Sequence, residues 1–210
     1  MAELIRRSSP EGRVKRGRPD IATSGDILEF WFGAPDASGT LPFRSDWFNG
    51  GDAFDARIRA RFLPTLEAAL AGECAHWADQ AEGTLALLLV LDQFTRNVFR
   101  RNARAFAGDA MARALAERLL AQGWQRALAP VQQVFAYLPF EHAETLADQD
   151  RAVALTSGWR NDPTLADCHD YALRHREVIR RFGRFPHRNA ALGRDTTTRE
   201  AAYLAEHGGF

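Results

Sequence analysis

Three polar constellations interrupt an otherwise apolar, helix-patterned sequence of 210 residues. The first, Asp92-Gln93-Phe94-Thr95-Arg96-Asn97, directly follows the apolar run Leu85 to Leu91. At helical spacing Leu85, Leu88 and Asp92 share one stripe, so the most apolar helix delivers a carboxylate, an amide and a guanidinium at its C-terminal end. Asp92 and Arg96 stand four apart with the acid first, the favoured order for a helical ion pair. Arg96 can also neutralise the last carbonyls of that helix. The pair reads either as a helix-end salt bridge or as one polar wall of a site.

The second constellation is Pro139-Phe140-Glu141-His142-Ala143-Glu144, followed by Asp148-Gln149. With Pro139 as a first helical position and the helix running to about Leu155, Glu141, Glu144 and Asp148 fall at i, i+3 and i+7 on one stripe. No basic residue lies between Pro139 and Arg151 to relieve their repulsion. A cationic partner from elsewhere is therefore expected to face them. His142 borders this stripe among apolar neighbours. Beside carboxylates a His titrates near neutrality and can act as general acid or base; the plain alternative is a core His donating to a neighbouring acid.

In the third, residues 174 to 194 carry Arg174, Arg176, Arg180, Arg181, Arg184, Arg188 and Arg194 against one acid, Glu177. Gly183 stops the preceding helix and Pro186 pushes Phe185 into extended backbone, so Arg184 to Asn189 reads as a binding loop held between two helices. Part of this Arg set is expected to face the acidic stripe, and any guanidinium left over is placed to hold an anion. The candidate site thus comprises His142, Glu141 and Glu144 as acid–base groups, with Asp92, Arg96, Arg184, His187, Arg188 and Arg194 as ligand contacts. His142, His175 and His187 could also serve a metal, but His-Glu-x-x-His and paired Glu-x-x-His are absent and the Arg excess repels a dication. No metal and no cofactor is expected. No Gly-x-Ser-x-Gly, Cys-His pair or phosphate-cradling Gly-rich loop supplies a nucleophile or nucleotide site.

The elements that must position these groups read as helix after helix. Thr23-Ser24 cap a short aromatic helix that stops at Gly33. A Pro- and Gly-rich connection over 34 to 50 is pinned by Trp47 and Phe48. Phe54, Ile58, Phe62, Leu66 and Leu70 then mark one helical face that ends at Gly72, with Pro64 predicting a kink or break. Thr84 can cap the buried helix of 85 to 91. Ala107, Met111, Leu115 and Leu119 line a helix ending at Gly123, and a loop leads to Pro139. Asp162-Pro163-Thr164 start a helix with face Cys168, Tyr171/Ala172, Val178/Ile179 and Phe182. Thr197 and Glu200 form a capping box before a last helix that ends at Gly208-Gly209. No strand pattern occurs. The expectation is an all-α domain over 21–210 with about seven helices packed as stacked antiparallel hairpins.

Composition narrows the function classes. The 27 basic and 27 acidic side chains cancel, which argues against a nucleic-acid footprint across the chain. Lys15 is the sole Lys, so nearly every cation is an Arg, able to make planar bidentate contacts to carboxylate or phosphate. No apolar run approaches the roughly 20 residues of a membrane span, and no signal-peptide pattern opens the chain. Cys74 and Cys168 are too few for a secreted disulfide scaffold, so a cytoplasmic location is expected. Residues 1–20, rich in Arg, Ser, Gly and Pro, read as a flexible basic tail.

At the three constellations the sequence resembles the bacterial family called domain of unknown function 924. The likeness rests on Leu91-Asp92-Gln93-Phe94 with Arg96-Asn97, on Pro139-Phe140-Glu141-His142 with Glu144, and on Gly183-Arg184-Phe185-Pro186-His187-Arg188-Asn189 with Leu192-Gly193-Arg194. The opening Ile27-Leu28-Glu29-Phe30-Trp31-Phe32-Gly33 and Trp47-Phe48 resemble the family's N-terminal part. Thr95 stands where the family pattern usually has Pro, and Ala143 and Thr196 where it usually has Ser; loss of the hydroxyl at 143 weakens any Ser nucleophile there. The resemblance implies a tetratricopeptide-like superhelical fold in a cytosolic protein and implies no activity. Two functions of different class follow. One is a carboxylate/His/Arg pocket that binds an anionic small molecule with acid–base catalysis. The other is a protein- or peptide-interaction module whose charged clusters are internal salt bridges.

Overall fold

A computed structural model describes residues 20 to 210; the expected basic tail, Asp20 apart, lies outside the described residues. The first helix, α1 (Ser24–Phe32), begins where Thr23 and Asp26 cap each other's backbone N–H groups, and ends where Gly33 takes φ 72°. After α2 (Asp46–Asn49), Trp47 is buried and its indole N–H donates to the Trp31 carbonyl at 2.8 Å. The long α3 (Gly51–Leu70) buries Phe54, Ile58, Phe62 and Leu66 as its spacing requires, and Pro64 does not divide it.

Next comes the core rod. It consists of α4 (Ala81–Leu88), a wide π-helical turn over Leu89–Phe94, and α5 (Thr95–Val98). Every residue from Leu85 to Leu91 is at least 97% buried. The rod is touched by α1 and α3 on one side and by α6 (Asp109–Ala121) and α7 (Pro130–Glu141) on the other. Helices α6, α7, α8 (Leu146–Thr156) and α9 (Ala166–Phe182) then pack successively, each on the one before, and α10 (Thr198–His207) closes over the 186–188 turn. Among the described residues there is no strand, so the all-α expectation holds, and no helix is long and apolar enough to cross a membrane.

With α4 to α5 counted as one rod, nine helices among the described residues stand against the seven expected. The surplus is α2 and a second helix around Pro139. Pro139 lies in the last turn of α7, not at a first helical position. That helix starts earlier, where Pro130 suits the first position and the Gln132 side chain accepts the Ala129 N–H at 3.0 Å. Pro139 offers no N–H to the preceding turn, and the helix ends at Glu141. A new one begins where Thr145 Oγ1 accepts the Asp148 N–H. Two smaller corrections have equally local causes. Thr84 lies inside α4, its hydroxyl donating to the Gln80 carbonyl, and does not cap it. The buried face of α6 is Ala112, Ala116 and Leu119, with Met111 exposed, because small residues are needed where α6 crosses the rod.

Candidate functional site

The break after Glu141 disperses the expected acidic stripe, since its three members belong to the end of α7, a turn, and the start of α8. Each finds its own partner. Glu141 lies 3.0 Å from His175 Nδ1 on α9, Glu144 takes Arg194, and Asp148 takes Arg113 of α6 at 2.8 Å. Only Arg194 among these partners is an Arg of the Arg-rich segment.

Asp92 sits in the π-helical turn, 1% exposed. One or both of its carboxylate oxygens accept from Arg96 Nη1 at 3.1 Å, from the Gln93 amide, and from His142 Nδ1 at 2.8 and 2.9 Å. Burial would raise the Asp92 pKa, but the Arg96 and His142 charges and the hydrogen bonds from His142 and Gln93 outweigh it and hold the carboxyl well below its usual range. The wide turn leaves backbone carbonyls to be met by side chains. Thr95 donates its hydroxyl to Leu91 O at 2.9 Å, and Arg96 Nη1 reaches Asp92 O at 2.6 Å.

Arg96 also grips Asp109 with both terminal nitrogens, at 2.9 and 3.1 Å. This second acid is brought in by Gly108. A Cβ there would lie 2.1 Å from the Leu91 carbonyl oxygen, so only glycine lets the N-terminus of α6 approach the wide turn this closely.

With Nδ1–H directed at Asp92, His142 carries its lone pair on Nε2. That nitrogen has no hydrogen-bond partner among the described residues, and His142 lines a cleft of about 610 Å³. Burial, with Arg96 and Arg188 nearby, lowers the His142 pKa despite the pull of Asp92, so the ring is neutral at pH 7 and able to take a proton. Gln93, Arg96, Glu141, His175, His187 and Arg188 line the same cleft.

Arg188 is the least satisfied of these. It is 6% exposed, packed 4.4 Å from the Phe185 ring centre and 4.8 Å from that of Phe106. Its Nε is sealed without a partner, and the guanidinium's single hydrogen bond among the described residues, to Asp109 Oδ2, is stretched to 3.5 Å. Burial and the neighbouring Arg96 pull its pKa down to about 10, which leaves it cationic at neutral pH. Burial, Arg188 and His175 push His187 down to about 3, so that ring is neutral.

The remaining sequence candidates lie elsewhere. Arg194 clasps Glu144 through two bonds at 2.7 and 3.0 Å, and Phe185 N–H adds a third at 2.7 Å. Arg184 clasps Glu200 at 2.7 and 3.0 Å, and buried Asn189 links the two pairs by accepting from Arg194 and donating to Glu200. None of Glu144, Arg184 and Arg194 lines the cleft. Sequence reasoning missed Asp109, for which the Gly108-Asp109 helix start was the available signal, and named His175 only in weighing a metal site. Among the described residues no three His, Cys, Asp or Glu side chains gather closely enough to hold a metal ion. Cys168 also lines the cleft, but burial and nearby Glu141 push its thiol up to about 12, so it is no thiolate nucleophile.

No curated protein matches the sequence. A solved structure of a protein of unknown function from Agrobacterium tumefaciens is similar at 39% identity and a TM-score of 0.76, over 87% of this chain and 97% of that one. The model of a family described as bacterial protein of unknown function (DUF924) matches residues 27–208, over the helices and polar groups just described, and the chain belongs to that family.

Proposed function

We propose that the cleft binds a small organic anion at Arg188 and that the Asp92–His142 pair acts beside it as a general base. One observation carries this reading: an imidazole held through Nδ1 by a buried carboxylate, its other nitrogen without a partner among the described residues, lines the same cleft as a buried guanidinium with almost no partner of its own. A buried charge left short of hydrogen bonds is costly unless a ligand completes it. Asp92 fixes the ring tautomer and stabilises the imidazolium that forms once the proton is taken. No side-chain nucleophile stands ready, so the proton would come from a water or from the bound molecule itself. Without a membrane-spanning helix among the described residues and with both cysteines free, a cytosolic setting fits this reading.

The interaction-module reading keeps a specific support, because the Glu144–Arg194 and Arg184–Glu200 pairs are internal clamps. It does not account for Arg188. The deciding measurement is a nitrogen-15 NMR titration of the His142 ring with acetate and with inorganic phosphate. The expected result is an Nδ1–H tautomer, neutral at pH 7, whose signals shift with one of these anions and do not shift in Arg188→Met. A His142 that is cationic at pH 7, or blind to both anions, overturns the proposal.

A further inference from the structure

Phe210 is 47% exposed, yet its ring is seated against the cleft wall. It lies on the His175 imidazole with centroids 3.7 Å apart and planes 21° from parallel. Phe185 and His187 meet it edge-on, at 6.1 and 5.9 Å. Parallel stacking on one side with edges on two others is a fit for a flat ring and not for a branched aliphatic chain. The box itself is firmly built. Phe185 is fully buried, and His175, 6% exposed, is held through Nδ1 by the Tyr171 carbonyl at 2.9 Å and by Glu141 at 3.0 Å.

The occupant is held far less firmly. Gly208 N–H bonds the Leu204 carbonyl, but Gly209 and Phe210 make no hydrogen bond among the described residues, so packing contacts without hydrogen bonds seat this segment. Gly209 passes so close to His187 that a Cβ there would lie 2.8 Å from the His187 Cβ. Phe185 then joins the box to the charge, since the Arg188 guanidinium stacks 4.4 Å from the same ring that Phe210 meets edge-on.

We infer that the cleft takes a small aromatic carboxylate, its ring displacing that of Phe210 from the His175–Phe185–His187 box and its carboxylate meeting Arg188. The inference rests on the anion reading above and adds the ring to it. A carboxylate suits Arg188 because, of the two guanidiniums beside His142, Arg96 is already committed to Asp92 and Asp109. Phe210 acts as an internal competitor, a ring that fills the box until a ligand's ring replaces it.

The test compares 3-phenylpropionate with propionate by calorimetric or NMR titration of wild type, Phe210→Ala and Arg188→Met, each first checked for a native thermal melt. Phe210→Ala is expected to bind 3-phenylpropionate at least ten-fold more tightly than wild type does, with propionate binding unchanged. Arg188→Met is expected to bind neither. If propionate binds through Arg188 but the phenyl group adds nothing in Phe210→Ala, the ring box is overturned while the anion reading stands. If neither acid binds wild type or Phe210→Ala, both fall.

Discussion

Two charged regions of this molecule use the same residue types to opposite effect. In the clamp, Glu144, Arg194, Asn189, Glu200 and Arg184 form a chain in which each carboxylate is met by a two-pronged guanidinium and by backbone N–H groups. In the cleft, two guanidiniums share Asp109, one of them at a stretched distance, and His142 has a nitrogen without a partner. The first is a closed hydrogen-bond network that fastens the 183–200 segment to the α7–α8 turn. The second is incomplete, and completion has to come from outside the chain. Charge in a partly buried place is thus no sign of function by itself; the degree of satisfaction is what separates the two.

The largest expected effect lies where the cleft resembles the clamp. Asp92→Ala removes one acceptor shared by Arg96, His142 and Gln93 and leaves a buried cation, and should cost about 3–5 kcal/mol in urea unfolding. A loss below 1 kcal/mol would mean that this pairing contributes little to the fold. Glu144→Ala opens the clamp, with an expected cost of about 2–3 kcal/mol, a fall of roughly 5–10 °C in melting temperature, and no change in anion titration of His142. Arg188→Met sharpens the contrast most. Removing an ill-paired buried charge should leave stability within about 1 kcal/mol of wild type, or raise it, while abolishing the anion response. If Arg188→Met unfolds as readily as Glu144→Ala, the two regions are alike and the cleft is another clamp.

The smallest effect is in pH. His142 and His187 both have folded pKa values below the ordinary 6.5, His187 at about 3, so the unfolded chain binds protons that the native chain refuses. Stability is full above pH 6.5 and declines as pH falls from there toward 3. Below about 4.5 the lowered carboxyls of Asp92 and Glu144 add their own loss. His187→Gln should flatten the decline between pH 6.5 and 4.5 in a series of thermal melts; an unchanged slope would place the titration elsewhere.

Much of the fold was legible because its signals are local. The Thr23 and Thr197 boxes, the stops at Gly33, Gly72, Gly123 and Gly183, and the sealed stretch of 85 to 91 each depend on residues within a turn of one another. Pro139 misled because a proline that ends a helix and one that starts it leave the same mark in the sequence, and the Thr145-x-x-Asp148 start was there to arbitrate. The site was legible only in part. Spacing could show that charges sit beside apolar elements, but Asp148 with Arg113, Glu144 with Arg194 and Arg188 with Asp109 pair across 35 to 79 residues of chain. No local pattern assigns such partners, and so none could tell which Arg would be left without one.

The wide turn at Leu89–Phe94 has a consequence for chain length. A π-helical turn holds one residue more than an α-helical path between the same two ends. The buried rod therefore tolerates a surplus residue at the level where Asp92 meets His142. Deleting a single position between 89 and 94 would let the rod run as uninterrupted α-helix between the same two ends, with α4 and α5 keeping their relative orientation. Arg96 and Asn97, beyond the turn, would then keep the neighbours that now hold them, Asp109 and Asp55. The loss would fall inside the turn itself: the meeting of Asp92 with His142 depends on the surplus residue of this rod as much as on the identity of the residues along it.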